Sequence, residues 1–166
     1  SIPRLQETGG RIELIASASS PQVTTRRALE LVTSPTVVID DLTRPFVTPH
    51  LVLRVLDALQ SADGAIAAVP VDETLKRTHS RQVEETIDRS GLWRVQAPQA
   101  FLTEALRAAH ERARKGRVAL HDNAQLVERY GGSIVVVPGM RANIKVASDE
   151  DLLLAEAMAR AERRGA

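Results

Sequence analysis

The 166-residue chain contains no cysteine. That excludes disulfides and thiolate metal sites, and it fits a reducing compartment. Aromatic side chains are scarce, only Phe46, Trp93, Phe101 and Tyr130, so the stacking platforms that hold single-stranded nucleic acid are missing. Neither sign of charge dominates: 22 Lys and Arg face 21 Asp and Glu, a net +1. The balance offers no pull toward nucleic acid or an anionic membrane. No apolar run approaches the about 20 residues of a membrane span, and the opening Ser1–Thr8 has no secretory pattern. A glycine-rich phosphate loop is also lacking, because Gly9-Gly10 and Gly131-Gly132 do not have its spacing. The histidines (His50, His79, His110, His121) show no zinc-ligand spacing, and no serine sits in a nucleophile elbow.

What remains is enough for one domain with a real core, able to bury roughly two thirds of its unfolded surface. The organising stretch is Thr36-Val37-Val38-Ile39-Asp40-Asp41-Leu42-Thr43-Arg44-Pro45. Consecutive β-branched residues suit a strand buried on both faces. Two carboxylates cannot sit cheaply in an apolar core, so the strand surfaces at Asp40, and Pro45 stops pairing. Acids and a cation at the carboxyl end of a strand mark a place for a metal, a sugar hydroxyl or a phosphate. They equally suit a solvated turn with a local ion pair.

Along the chain, residues 3–9 read as a helix end or loop closed by Gly9-Gly10, and Arg11–Ala16 as a strand. A helix over Val23–Val32 presents Val23, Ala28, Leu29, Leu31 and Val32 to a core. Thr48-Pro49 starts another, with Leu51, Val52, Val55, Leu56 and Leu59 at helical spacing. Ala65–Val71 is a buried-type strand, completing a β-α-β-α-β pattern typical of a parallel sheet. Thr74–Arg77 and Val83–Asp88, joined by polar Thr78–Gln82, read as a hairpin with little apolar surface. An isolated hairpin is marginal in water, so it should lean on something, such as a second subunit. Trp93 and Phe101 read as core or interface anchors. A helix over Phe101–Arg114 ends at Lys115-Gly116, and Asp122 or Asn123 can cap the helix 124–130. Ser133–Val137 and Asn143–Val146 read as strands. Ser148 caps a last helix whose acids Asp149, Glu150 and Asp151 suit the dipole, with Leu152, Leu153, Leu154, Ala157 and Met158 as its buried side.

Candidate chemistry gathers near strand ends: Asp41, Arg44, Thr74, Arg89, Asp122 and Lys145. Arg89 lies at the hairpin base, where a guanidinium can grip an anion bidentately. Lys145, flanked by Ile144 and Val146, would point opposite to them on a strand, into a cleft.

Five ordered segments resemble one family, the 2-C-methyl-D-erythritol 4-phosphate cytidylyltransferases. Val37–Phe46 resembles its "V-x-H-D-A-x-R-P-F" segment and Ala68–Arg77 its "P-V-x-D-T-L-K" segment. Thr86–Trp93 resembles "T-V-D-R-x-G-L-W", Gln96–Phe101 resembles "Q-T-P-Q-A-F", and Asn143–Val146 with Glu150-Asp151-Leu152 resembles "N-I-K-x-T-x-P-E-D-L". The resemblance runs from about Ile12 to the C-terminus. It implies an α/β fold, a three-layer Rossmann-like nucleotidyltransferase sheet forming a single domain over 1–166, with a protruding hairpin arm at 72–90. It implies that methylerythritol phosphate attacks the α-phosphate of CTP, releasing pyrophosphate for isoprenoid precursor synthesis, with Mg²⁺, in a cytoplasmic homodimer. Arg89 and Lys145 match catalytic residues that position the attacking phosphate. Asp41, Arg44, Thr74 and Asp122 match substrate-binding positions, Asp41 also serving the metal. The arm crosses into the partner, so Thr74 and Arg89 would complete the other protomer's site.

Departures accompany the resemblance. The family opens with a glycine-rich loop whose Arg and Lys hold CTP, and the matching segments start after it. The expectation is that this chain alone turns over CTP very slowly or not at all, since electrostatic stabilisation dominates phosphoryl transfer. Asp40 stands where the family has His, Ala97 replaces a Thr, and His121 replaces another Thr. These changes motivate a rival expectation, a dimerising or binding domain that has lost the chemistry. A pentitol-phosphate cytidylyltransferase is a third.

Overall fold

A computed structural model describes residues 13–120 and 122–165. The expected turn at 3–9 and the substitution at His121 lie outside the described residues. The main sheet has four strands in the order β1 (Thr36–Ile39), β5 (Trp93–Leu102), β2 (Gly64–Pro70), β6 (Ile134–Pro138). It is mixed rather than parallel: β5 runs antiparallel to both β1 and β2, and only the β2–β6 pair is parallel. β1, expected to be buried on both faces, is an edge strand with all four residues half-buried. The central position belongs to β5, ten residues long.

Sequence periodicity hid β5. Pro98 has no N–H to give a ladder and argues against a central strand. It is tolerated because the register shifts there, from Ile66 opposite Gln99 to Ala68 opposite Val95. Phe101 and Leu102 therefore close β5, and the helix α3 (Thr103–Gly116) begins two residues later than its apolar spacing suggests. Residues 13–16 and 143–146 are not strands.

Helices cover both faces. On one, Leu29 of α1 (Pro21–Leu29), Leu106, Ala109 and Ala113 of α3, and Ala124, Leu126 and Val127 of α4 (Asn123–Arg129) enclose Ile66 and Phe101. On the other, Leu51 and Val55 of α2 (Pro49–Asp57) and Leu59 pack on Ala65, Ala67, Ala100 and Val137. The assignment follows the pleat: Ile66 points one way, Ala65 and Ala67 the other. Phe101 is fully buried. It depends on Gly64, where an added Cβ would stand 2.6 Å from ring atom Cδ1 of Phe101 and from Cδ1 of Ile134.

The helix starts follow capping chemistry. Thr48 and Asp122 accept side-chain bonds from Leu51 N–H and Gln125 N–H, which settles Asp122, not Asn123, as the cap of α4. At α5 (Asp149–Gly165) Ser148 Oγ accepts from Asp151 N–H while Asp151 accepts from Ser148 N–H, a reciprocal box. The leucines of α5 are not its buried side: Leu152, Leu153 and Leu154 are half or more exposed, and Ala155 is the buried residue. No described helix is long and apolar enough to cross a membrane.

The hairpin forms as expected but tighter. β3 (Leu75–His79) and β4 (Gln82–Ile87) leave only Ser80-Arg81 as the turn, both at positive φ (48° and 69°), the geometry that matches strand twist in two-residue hairpins. It forms its own two-stranded sheet, with every residue of β3 exposed. Arg77–Glu85 and Lys76–Thr86 link the strands.

Candidate active site

Beyond the carboxyl end of β1 opens a cleft of about 630 Å³, lined among others by Asp40, Asp41, Arg44, Gln96, Gln99, Asp122 and Lys145. Four of the six candidate residues thus meet in one place. Asp41 is held by three contacts. Its Oδ1 accepts from Thr43 N–H (3.0 Å) and Thr43 Oγ1–H (2.6 Å), and its Oδ2 lies 3.0 Å from Lys145 Nζ. Thr43, and secondarily Lys145, draw its pKa down to about 2 against the opposing effect of burial. The ion pair of this turn is therefore Asp41–Lys145, not Asp41–Arg44.

Arg44 instead donates to the backbone carbonyl of Asn143, 2.8 Å away across 99 residues of sequence. Its guanidinium is partly desolvated and lies within the influence of Arg94 as well as of Asp41. Asp122 is committed as a cap and also accepts from Gln99 Nε2 at 2.9 Å, so its structural role is complete while it still faces the cleft. Lys145 reaches the cleft from a loop rather than a strand.

That loop is held by residues the sequence reading missed. Asn143 is fully buried and donates to Ala97 O (2.7 Å). Gln96, 5% exposed, donates to Met140 O (2.9 Å) and Asn143 O (3.2 Å), and its Oε1 accepts from Met140 N–H. Buried amides that satisfy a loop backbone fix the loop rigidly. Recognising β5 as a strand would have exposed Gln96 and Gln99, which bracket the register shift.

Thr74 and Arg89 lie elsewhere. Both are exposed on the arm and neither lines the described cleft of its own chain. Arg89 donates to Asp72 O, and Arg141 pairs with Asp72, so the arm root is tied to the loop that carries Lys145. No group of three or more His, Cys, Asp or Glu able to hold a metal exists among the described residues.

A sequence profile described as 2-C-methyl-D-erythritol 4-phosphate cytidylyltransferase matches residues 3–161. Curated proteins of that description are similar to the chain. The one from Bacillus velezensis is 39% identical over 153 residues, covering 91% of this chain and 66% of the relative. The one from Rubrobacter xylanophilus is 48% identical over 129 residues, covering 76% and 56%. A crystal structure of the enzyme of that description from Thermus thermophilus superposes with a TM-score of 0.83 at 34% identity, over 92% of this chain and 78% of that one. The 4-diphosphocytidyl-2C-methyl-D-erythritol synthase of Anaerococcus prevotii gives 0.84 at 27%, over 94% and 71%. The chain spans less than two thirds of the length of these curated relatives. On profile, identity and fold together, the chain belongs to the 2-C-methyl-D-erythritol 4-phosphate cytidylyltransferase family.

Proposed function

We propose that the chain takes part in transfer of CMP from CTP to 2-C-methyl-D-erythritol 4-phosphate, with release of pyrophosphate. The observation that carries this reading is the convergence of Lys145, Arg44 and Asp41 on one cleft at a strand end. The reaction needs a cation to hold the incoming phosphate in line with the α-phosphate, since positioning and charge stabilisation supply most of the rate. Lys145, oriented by Asp41, serves that role. Arg44 adds fixed positive charge, and Asp122 also lines the cleft.

Arg89 and Thr74 act, on this reading, in the partner's cleft, and the 72–90 arm makes a homodimer. Their exposure, and the fact that neither lines the cleft of their own chain, support that arrangement. The same reading places the protein in the cytoplasm, in keeping with its lack of cysteine.

Magnesium fits in one form. Asp41 Oδ1 already accepts twice, while Oδ2 accepts once and keeps one lone-pair position. A single carboxylate suits an ion that arrives on the triphosphate, since Mg²⁺ is typically held by one or two carboxylates plus substrate phosphates. Bound there, the ion would neutralise charge on the phosphate oxygens.

The test pairs pyrophosphate release from CTP with calorimetric binding of methylerythritol phosphate and, side by side, a pentitol phosphate. With the family's glycine-rich CTP loop supplied on the same chain, methylerythritol phosphate should be the better substrate and Lys145→Met should lower turnover by about 10²–10³. With or without that loop, Lys145→Met should weaken binding of the phosphorylated alcohol. Unchanged binding in Lys145→Met would overturn the assignment. Ala97, which lines the cleft where the resemblance expects a hydroxyl, favours a second reading as a non-catalytic binding domain. That reading requires ligand binding without any pyrophosphate release even when the glycine-rich CTP loop is supplied.

A further inference from the structure

A second cleft, of about 260 Å³, lies between α1 and the C-terminal half of α3. It is lined by Arg26 of α1, His110 and Arg114 of α3, and Arg117 just beyond α3. The reaction above uses none of these residues. Gln22 pre-forms the cleft by clamping the segment that closes it, donating to Val118 O and accepting from Leu120 N–H, each at 3.1 Å.

His110 is 2% exposed. Its Nε2 lies 3.1 Å from Asn123 Oδ1, and an amide oxygen only accepts, so Nε2 carries the proton. Nδ1 is then a buried acceptor with no partner. Buried polar atoms are rarely left unpaired without a reason such as a missing ligand. Around it one positive charge is left unpaired. Arg26 and Arg114 are countered by Glu30 and Glu111, but Arg117 is exposed, held at φ 54°, and makes no ion pair among the described residues. Burial, with Arg26 close by, holds the imidazole below its ordinary pKa despite the bond to Asn123, which keeps the ring neutral and Nδ1 an acceptor.

We propose that this cleft binds a small phosphoryl anion, with the three arginines as charge-assisted donors and His110 Nδ1 as the closing contact. A phosphate monoanion offers a P–OH that donates to Nδ1 of the neutral ring, whose own proton stays on Nε2 against Asn123. Arginine forks match phosphate geometry. The volume falls just under the about 300–1,000 Å³ of clefts that take drug-sized ligands, which limits the ligand to free phosphate or a small phosphomonoester. Asn123, the partner of His110, also lines the candidate active cleft.

The experiment titrates the protein with inorganic phosphate and, separately, with glycerol 3-phosphate. The His110 ring nitrogens are followed by NMR, with chloride at matched ionic strength as the reference. Saturable movement of the Nδ1 resonance is expected, and Arg117→Glu, on the surface, should weaken it at least about tenfold. Arg117→Lys should retain part of the affinity. Tighter binding of glycerol 3-phosphate assigns the site to a phosphorylated metabolite, and equal binding assigns it to the free anion. The proposal is overturned if Nδ1 does not move, if chloride moves it equally, or if Arg117→Glu binds as the parent does.

Discussion

At Asp41 a single carboxylate caps its own turn through Thr43 and orients the cleft cation through Lys145. These roles separate by titration. A carboxylate depressed to about 2 contributes its stabilisation fully above its unfolded pKa of about 3.9, and that contribution is lost as the pH falls toward about 2. Thr43 supplies the largest part of the shift, so Thr43→Val should move the Asp41 midpoint up toward the usual value while Lys145→Met moves it less. Carboxyl ¹³C shifts followed against pH read this directly, and the reverse order would put the ion pair first. The motif residues Asp41, Arg44 and Lys145 were legible in the sequence because their chemistry is local and charged. Asn143 and Gln96 were not, since a buried amide announces itself only through the carbonyls it satisfies, and those come from chain segments more than 40 residues away.

Elements were readable where period and punctuation agreed. α2 has Thr48 as cap, Pro49 in its first turn and apolar residues at helical spacing, and its structure follows. β5 defeated the same rules because its proline, legitimate at a register shift, imitates a break. The leucines of α5 defeated them in another way, since apolar spacing says which residues could be buried but not whether anything covers them. The arm shows a turn whose backbone was chosen against its residue types. Ser80 and Arg81 occupy positive φ, which in non-glycine residues costs about 1–2 kcal/mol. Arg81→Gly should therefore steady the arm by about 0.5–1 kcal/mol, slowing amide exchange in β3 and β4 without altering that of the main sheet. Faster exchange would mean that the Arg81 side chain, not its backbone, holds the turn.

Across the whole molecule, the cleft is built by the body and the arm projects from it, tied at its root by Arg89 and Arg141 to Asp72. On the proposed homodimer, a body that lacks Arg89 in its own cleft and an arm that presents it outward would be complementary halves of a two-fold assembly. This arrangement makes a prediction that no monomeric reading shares. Arg89→Ala damages only the partner's cleft, and Lys145→Met only its own. Each variant alone should be inactive. In a mixed dimer, one cleft combines the intact Lys145 of the Arg89→Ala protomer with the intact Arg89 of the other, and the second cleft lacks both. Random exchange makes half of the dimers mixed, so mixing equal amounts should restore about a quarter of the parental sites. Pyrophosphate release after subunit exchange, with the family's glycine-rich CTP loop supplied on both variants, measures the recovery. If each arm served its own body, the mixture would stay as inactive as its parts, because every cleft would still lack one of the two cations.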